Sequence, residues 1–294
     1  MGPSGTRRLP AVKLLPLDLI QNLPLAENTR KTLLSAGRDF NRYLESSGQS
    51  VGSSVIESYL AELSLRSCRN TILNRLSALR WILSTLPPDR ESRRLEKSLA
   101  KARALSATCA GASSSRKKII ECLSPAQVKS LWQACKGACP RKTRTGLIVK
   151  CLYQTAMKVS ELIDLRLEDC SPDGESVLLR LPGNGTKAAR VLELEKSLYD
   201  ALREVFAGKQ LLFESERGGR LDRSNIHIRI HRLGQEVFGT GLHSQVLRNS
   251  RAMALLSSGW SAEKISRHLG HSSTALTRRM ILRLDPKLAD PLGE

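Results

Sequence analysis

The sequence predicts a mainly α fold with a small antiparallel β-sheet, organised as a helical first unit and an α+β second unit. Three observations carry this expectation. Apolar residues recur at helical intervals over most of the 294 residues. The period changes to two on either side of a Gly-rich turn, in "SVLLRL", "PGNGTK" and "ARVLEL". Between the units, "SATCAGASSSRKKIIECL" runs from small residues and serines into cations and breaks both patterns.

In chain order, residues 1–17 form a basic, Pro-interrupted tail. "LAENTRKTLLSAGRDFNRYLESSG" is an amphipathic helix with Leu33, Leu34, Phe40 and Leu44 on one face and Gly48 at its end. "SSVIESYLAELSL" is a second helix with a Ser cap, and "SCRNTILNRLSALRWILSTLPP" a third, ended by Pro87 and Pro88. A shorter basic helix, "ESRRLEKSLAKARAL", completes a helical unit over 18–104, with an exposed linker over 105–122. The second unit, 123–285, opens at "LSPAQVKSLWQAC", where Ser124 caps and Pro125 sits in the first turn. "RTGLIVKCLYQTA" reads as a buried helix and "KVSELIDLRLEDC" as a short one capped by Ser160. After the hairpin come helices in "EKSLYDALREVFAG" and "SNIHIRIHRLGQEVFG", then two or three more between His243 and Leu284. Residues 286–294 are a C-terminal tail.

Lys and Arg total 47 against 28 Asp and Glu, a net charge of +19. Such a surplus favours a polyanionic partner, because each neutralised phosphate releases a condensed counterion. Nucleic acid is the first candidate and an anionic membrane surface the second. Aromatic residues make up 4% of the chain, which argues against a single-strand binder that stacks bases on rings. No stretch approaches the roughly 20 apolar residues of a membrane span, and the N-terminus lacks the apolar core and cleavage site of a signal peptide. A cytoplasmic protein without membrane association is therefore expected. The seven cysteines are irregularly spaced and form no C-x-x-C pair. Cys135 and Cys139 lie one helical turn apart without matching ligands nearby, so reduced thiols and neither a metal nor a cofactor are expected.

Taken alone, "GWSAEKISRHLGHSSTALTRRM" resembles a helix-turn-helix, with Ser261 starting one helix, Gly270 ending it and "SSTALTRR" beginning a recognition helix. A plain pair of core helices fits as well. The longer context changes the weighting. "VLRNSRAMALLSSGWSAEKISRHLGHSS" is similar to the C-terminal motif of the tyrosine recombinase (phage integrase) family, in which His-x-Leu-Arg-His-Ser precedes an apolar helix, then Leu-Gly-His-Ser, then a Tyr nine residues on. "TAMKVSELIDLRLEDC" resembles that family's first arginine motif, "LPGNGTKAARVLEL" its lysine-bearing hairpin, and "LFESERGGRLDRSNIHIRIHRLG" the approach to the second motif. "TILNRLSALRWIL" resembles part of its core-binding domain. The resemblance covers roughly residues 18–285, with the motifs in the family's order. It implies a helical core-binding (SAM-like) N-terminal domain and an α+β catalytic domain that close as a C-clamp around DNA.

The resemblance also implies a chemistry. A tyrosine attacks the scissile phosphate and becomes covalently linked to DNA. Two arginines and a histidine stabilise the charge that builds on the phosphate oxygens. A hairpin lysine protonates the leaving oxygen, and a histidine manages the nucleophile's proton. Carried across, the retained positions are Arg248, His271 and Lys187, with Arg190 as the alternative register for the hairpin cation. Three positions are substituted. Lys158 replaces the first arginine, keeping the charge but losing the planar fork. Gln245 replaces the proton-handling histidine and can donate a hydrogen bond but not trade a proton; His243, two residues earlier, is a weak substitute. Asn249 follows Arg248 where the motif has a second histidine. Met280 replaces the tyrosine, and a thioether has no proton to lose; an apolar residue packed into the core is what remains. The four tyrosines, Tyr43, Tyr59, Tyr153 and Tyr199, all precede the second motif.

Sequence therefore leads to a DNA-binding member of the family, serving DNA integration or recombination, that cannot cleave alone. Such a pseudoenzyme would be an accessory partner of an active tyrosine recombinase, a self-associating DNA-binding subunit, or the product of a decayed mobile element. The alternatives are an active recombinase with atypical residues, or a non-enzymatic helix-turn-helix regulator.

Overall fold

The computed structural model describes residues 14–49, 53–85, 90–108, 121–137, 139–183 and 188–289. The chain divides into two compact units, Met1–Lys117 and Lys118–Glu294.

The first unit is helical: α1 (Asp18–Gln21), α2 (Glu27–Ser47), α3 (Ser53–Arg66), α4 (Arg69–Ser84) and α5 (Arg90–Thr108). Its core is the set of apolar stripes the sequence displays. Phe40 and Leu44 of α2 pack with Ile56, Tyr59 and Leu63 of α3, Leu76, Leu79 and Ile82 of α4, and Leu99 of α5. Gly48 ends α2 in the left-handed region, at φ 64°, where a side chain is disfavoured. Leu15, expected in the tail, is buried, and its N–H and C=O both bond the Asn41 side chain at 2.9 and 3.0 Å. Helix α5 runs on to Thr108, past residue 104. Pro87 and Pro88 lie outside the described residues; α4 ends at Ser84, its last turn closed by Thr85.

A carboxylate sits within this core. Asp39 is 7% exposed and accepts two hydrogen bonds of 3.0 Å from Arg66 and one of 2.7 Å from the Tyr59 hydroxyl. Arg75 ion-pairs with it, and Arg42 lies 3.9 Å away. Burial alone would raise its pKa, but these partners hold it down at about 2.

The second unit contains α6 (Pro125–Gln133), α7 (Pro140–Thr155) and α8 (Val159–Asp164), then strands β1 (Cys170–Asp173), β2 (Ser176–Leu181) and β3 (Arg190–Glu195), then α9 (Lys196–Phe206), α10 (Arg223–Phe238), α11 (Ser244–Ser257), α12 (Ala262–Leu269) and α13 (Thr274–Leu284). Ser124 and Gln127 form a reciprocal capping box at α6. The cap of α8 is Lys158, and Ser160 lies inside the helix. The Glu161 carboxylate accepts the Lys158 N–H at 2.8 Å, which fixes the cap two residues before the serine.

The sheet is an antiparallel meander in the order β1-β2-β3. Strand β1, "CSPD", is too short and too rich in Pro and Asp to announce itself. Val177, Leu179 and Leu181 of β2 and Leu192 and Leu194 of β3 face the core, where they meet Leu131, Ile148, Leu152, Leu162, Leu202 and Leu247. A smaller cluster joins Ala156 to Ala252 and Leu255 of α11, Ile265 and Leu269 of α12 and Ile281 of α13. Among the described residues, no helix is long and apolar enough to cross a membrane.

Candidate functional site

The site forms where α7 ends, α8 begins, and β3, α11 and α12 meet them. Helix α12 organises it. Gly270, at φ 63°, stops the helix and turns the chain toward His271. The last four carbonyls of a helix have no partner within it. Here all four are taken. Ser266 O accepts the His271 N–H at 3.0 Å and Arg267 O the Gly270 N–H at 3.0 Å. His268 O accepts Arg190 Nε at 3.0 Å, and Leu269 O accepts Arg248 Nη2. Two guanidiniums therefore cap consecutive carbonyls at the negative end of one helix dipole.

Arg248 comes from the middle of α11, a helix buried on most sides. It is 3% exposed, and its Nη1 donates to Ala156 O at the end of α7. Burial lowers its pKa to about 10, opposed by Glu161 and reinforced by the positive charge of Arg190. Arg190 arrives from β3. Strand alternation places it on the same face as Leu192 and Leu194, so its side chain enters the protein. Its Nη2 donates to Glu161 Oε2 at 2.7 Å, the same oxygen that holds the Lys158 N–H. Burial would raise the Glu161 pKa; these hydrogen bonds and the nearby Arg248 keep it below the usual carboxylate range.

Lys158 is half-buried at the α8 cap. His271 is half-buried, and its Nδ1 lies 2.8 Å from Thr277 Oγ1, which is fully buried on α13. Met280 is half-buried on α13 and packs against the small apolar cluster of Ala156, Leu269 and Ile281. Gln245 lies on the exposed face of α11 and donates to Asn249 Oδ1 at 3.1 Å. Asn249 in turn donates to Glu121 O at 3.0 Å, so it ties the start of the unit to α11. His243 caps α11 from the exposed surface with its ring 5.7 Å from that of His227. Lys187 lies outside the described residues. Tyr43 and Tyr59 belong to the core of the first unit, Tyr153 faces Arg251 across 5.8 Å, and Tyr199 is half-buried on α9.

Two members of this cluster, Glu161 and His268, were not singled out by the sequence motifs. Glu161 is signalled only by its place three residues after Lys158, at the capping-box position. His268 has no pattern to mark it. Its ring sits edge-on to Trp260 at 5.6 Å. Burial, then the charges of Arg251, Arg190 and Arg248, lower its pKa to about 4.

The phage integrase family model matches residues 121–282, more than half of the chain. The chain belongs to the phage integrase family. Among curated relatives, this integrase-family chain is 28% identical over 169 residues to "Tyrosine recombinase XerC" of Roseiflexus castenholzii, covering 53% of either protein. It is 32% identical over 143 residues to the XerC of Pseudomonas fluorescens, covering 46% of this chain and 47% of the relative. The matched stretches thus span about half the length of these relatives. The fold is that of solved recombinases. The XerH site-specific recombinase in a post-cleavage complex with a palindromic difH substrate superposes with a TM-score of 0.69 at 16% identity, over 89% of this chain and 78% of that one. The Tn1549 transposon integrase, in complex with transposon right end DNA, superposes at 0.65 and 16% identity, over 90% and 92%.

Proposed function

We propose that this integrase-family protein binds double-stranded DNA, grips a backbone phosphate at Arg248 and His271, and does not cleave the strand by itself. The observation that carries this reading is a buried guanidinium, Arg248, on carbonyls of the same apolar cluster against which Met280, a residue that cannot act as a nucleophile, packs. Arg248 is fixed by two main-chain carbonyls, so its guanidinium is held in one orientation. Met280, nine residues after His271, is held among apolar side chains and has no ionisable atom. Gln245 at the surface can orient a phosphate but not move a proton. Strand exchange would then require an active recombinase as partner.

The first unit supplies further attraction for DNA. A cavity of about 400 Å³ is lined by Lys31, Arg38, Arg42 and Arg75 around Asp39. A plain helix-turn-helix regulator has no use for a buried arginine on the carbonyls of its second-last helix. Anisotropy of a labelled duplex across a salt series tests the binding reading. The logarithm of affinity should fall linearly with the logarithm of salt concentration. Affinity that stays flat across the series would overturn it.

A further inference from the structure

Arg190 is the residue whose placement the reading above leaves unexplained. Its side chain is 9% exposed and Arg248 is 3% exposed, and they share one carboxylate, Glu161. Two guanidiniums that cap neighbouring carbonyls repel each other, and little water reaches them to screen the repulsion. One carboxylate balances one of them. The surplus positive charge is preorganised, poorly solvated and beside His271, the arrangement that an oxyanion relieves. The fit is close. A Cβ at Gly270 would lie 2.6 Å from Arg190 Nη1, so only glycine lets this guanidinium rest against the loop that leads into His271. Each guanidinium carries five N–H groups, and the described hydrogen bonds use two on each.

We propose that Arg190 is a phosphate-binding residue, supplying beside Arg248 the second guanidinium fork that Lys158 cannot provide. Glu161 holds it in place, and β3 delivers it to the site. This inference rests on the reading of the site as a DNA-phosphate site, and it adds the residue that restores a two-arginine grip. A purely structural arginine would brace α8 against α12 and leave anion affinity untouched.

The test uses the full chain with labelled histidines. Five histidines give few NMR signals, and two of them, His268 and His271, flank the cluster. Inorganic phosphate is titrated at constant ionic strength. In the wild-type protein the His268 and His271 signals should move and saturate. Arg190→Gln should weaken that response about tenfold or more, the loss expected for a charge-assisted hydrogen bond. Arg190→Lys keeps the charge and the ion pair to Glu161 but loses the fork, so it should weaken the response by less. Unchanged phosphate affinity in either folded variant overturns the proposal, as do wild-type signals that ignore phosphate. The same proteins are then assayed on a labelled duplex. If phosphate shifts the two signals through Arg190 but no duplex binds, the DNA reading fails and the Arg190 site stands.

Discussion

The two units each gather arginines around one carboxylate, and the two clusters differ in where their charge goes. Around Asp39, both carboxylate oxygens are occupied, while the side chains of Arg66 and Arg42 remain 40% and 77% exposed. Their surplus charge is spread into water, so this cluster is an anchor with a cationic surface. Around Glu161, the two guanidiniums are almost wholly enclosed. Their surplus has no such outlet. Similar residue types therefore form a structural tie in one unit and, as we propose, an anion site in the other, and exposure rather than composition separates them.

The largest effect that would sharpen this contrast is at Arg248. Arg248→Ala leaves the Ala156 and Leu269 carbonyls buried without their donor. At about 1–3 kcal/mol for each unsatisfied group, it should destabilise the second unit by about 2–6 kcal/mol in a urea melt. A loss below about 1 kcal/mol would mean these carbonyls find other partners.

Gly270→Ala should cost less, about 1–2 kcal/mol, because it combines a left-handed backbone with a collision against Arg190. It should also weaken phosphate binding. A variant as stable as the parent would show that Arg190 is not held against this loop.

Acid should separate the units by smaller, graded losses. His268 is neutral in the folded protein, with its pKa lowered from 6.5 to about 4, so the unfolded chain binds a proton that the folded one refuses. The second unit should lose stability as pH falls from about 6.5 to about 4. Asp39 is lowered from 3.8 to about 2, so its contribution persists through that window and is lost only as pH falls from about 3.8 to about 2. Melting followed separately for signals of each unit checks this; an earlier acid loss in the first unit would reverse the assignment.

Much of this was legible in the sequence. Helices α2, α9 and α12 follow apolar periodicity, and Ser124, Gly48 and Gly270 act as the punctuation their chemistry predicts. Arg248 and His271 are singled out by the sequence because they sit in a motif. The cap of α8 was not, because a lysine with no capping oxygen was set by a carboxylate three residues on. Arg190 appeared only as a rival to Lys187 at the hairpin. The two-residue alternation of "ARVLEL" already put it on the buried face with Leu192 and Leu194, but which helices would receive it depends on contacts distant in sequence. His268 depends wholly on such contacts.

In the proposed function the phosphate grip is kept while the cleaving step is lost. A duplex selected from a random pool by the protein, nicked near its centre so that any attacked strand stays attached, measures this directly. After denaturation the wild-type protein should carry no covalently linked DNA. Met280→Tyr alone should fall short of full activity, because Gln245 still cannot exchange a proton. A wild-type protein that migrates with covalently attached DNA would contradict the account and would identify the residue that carries the link.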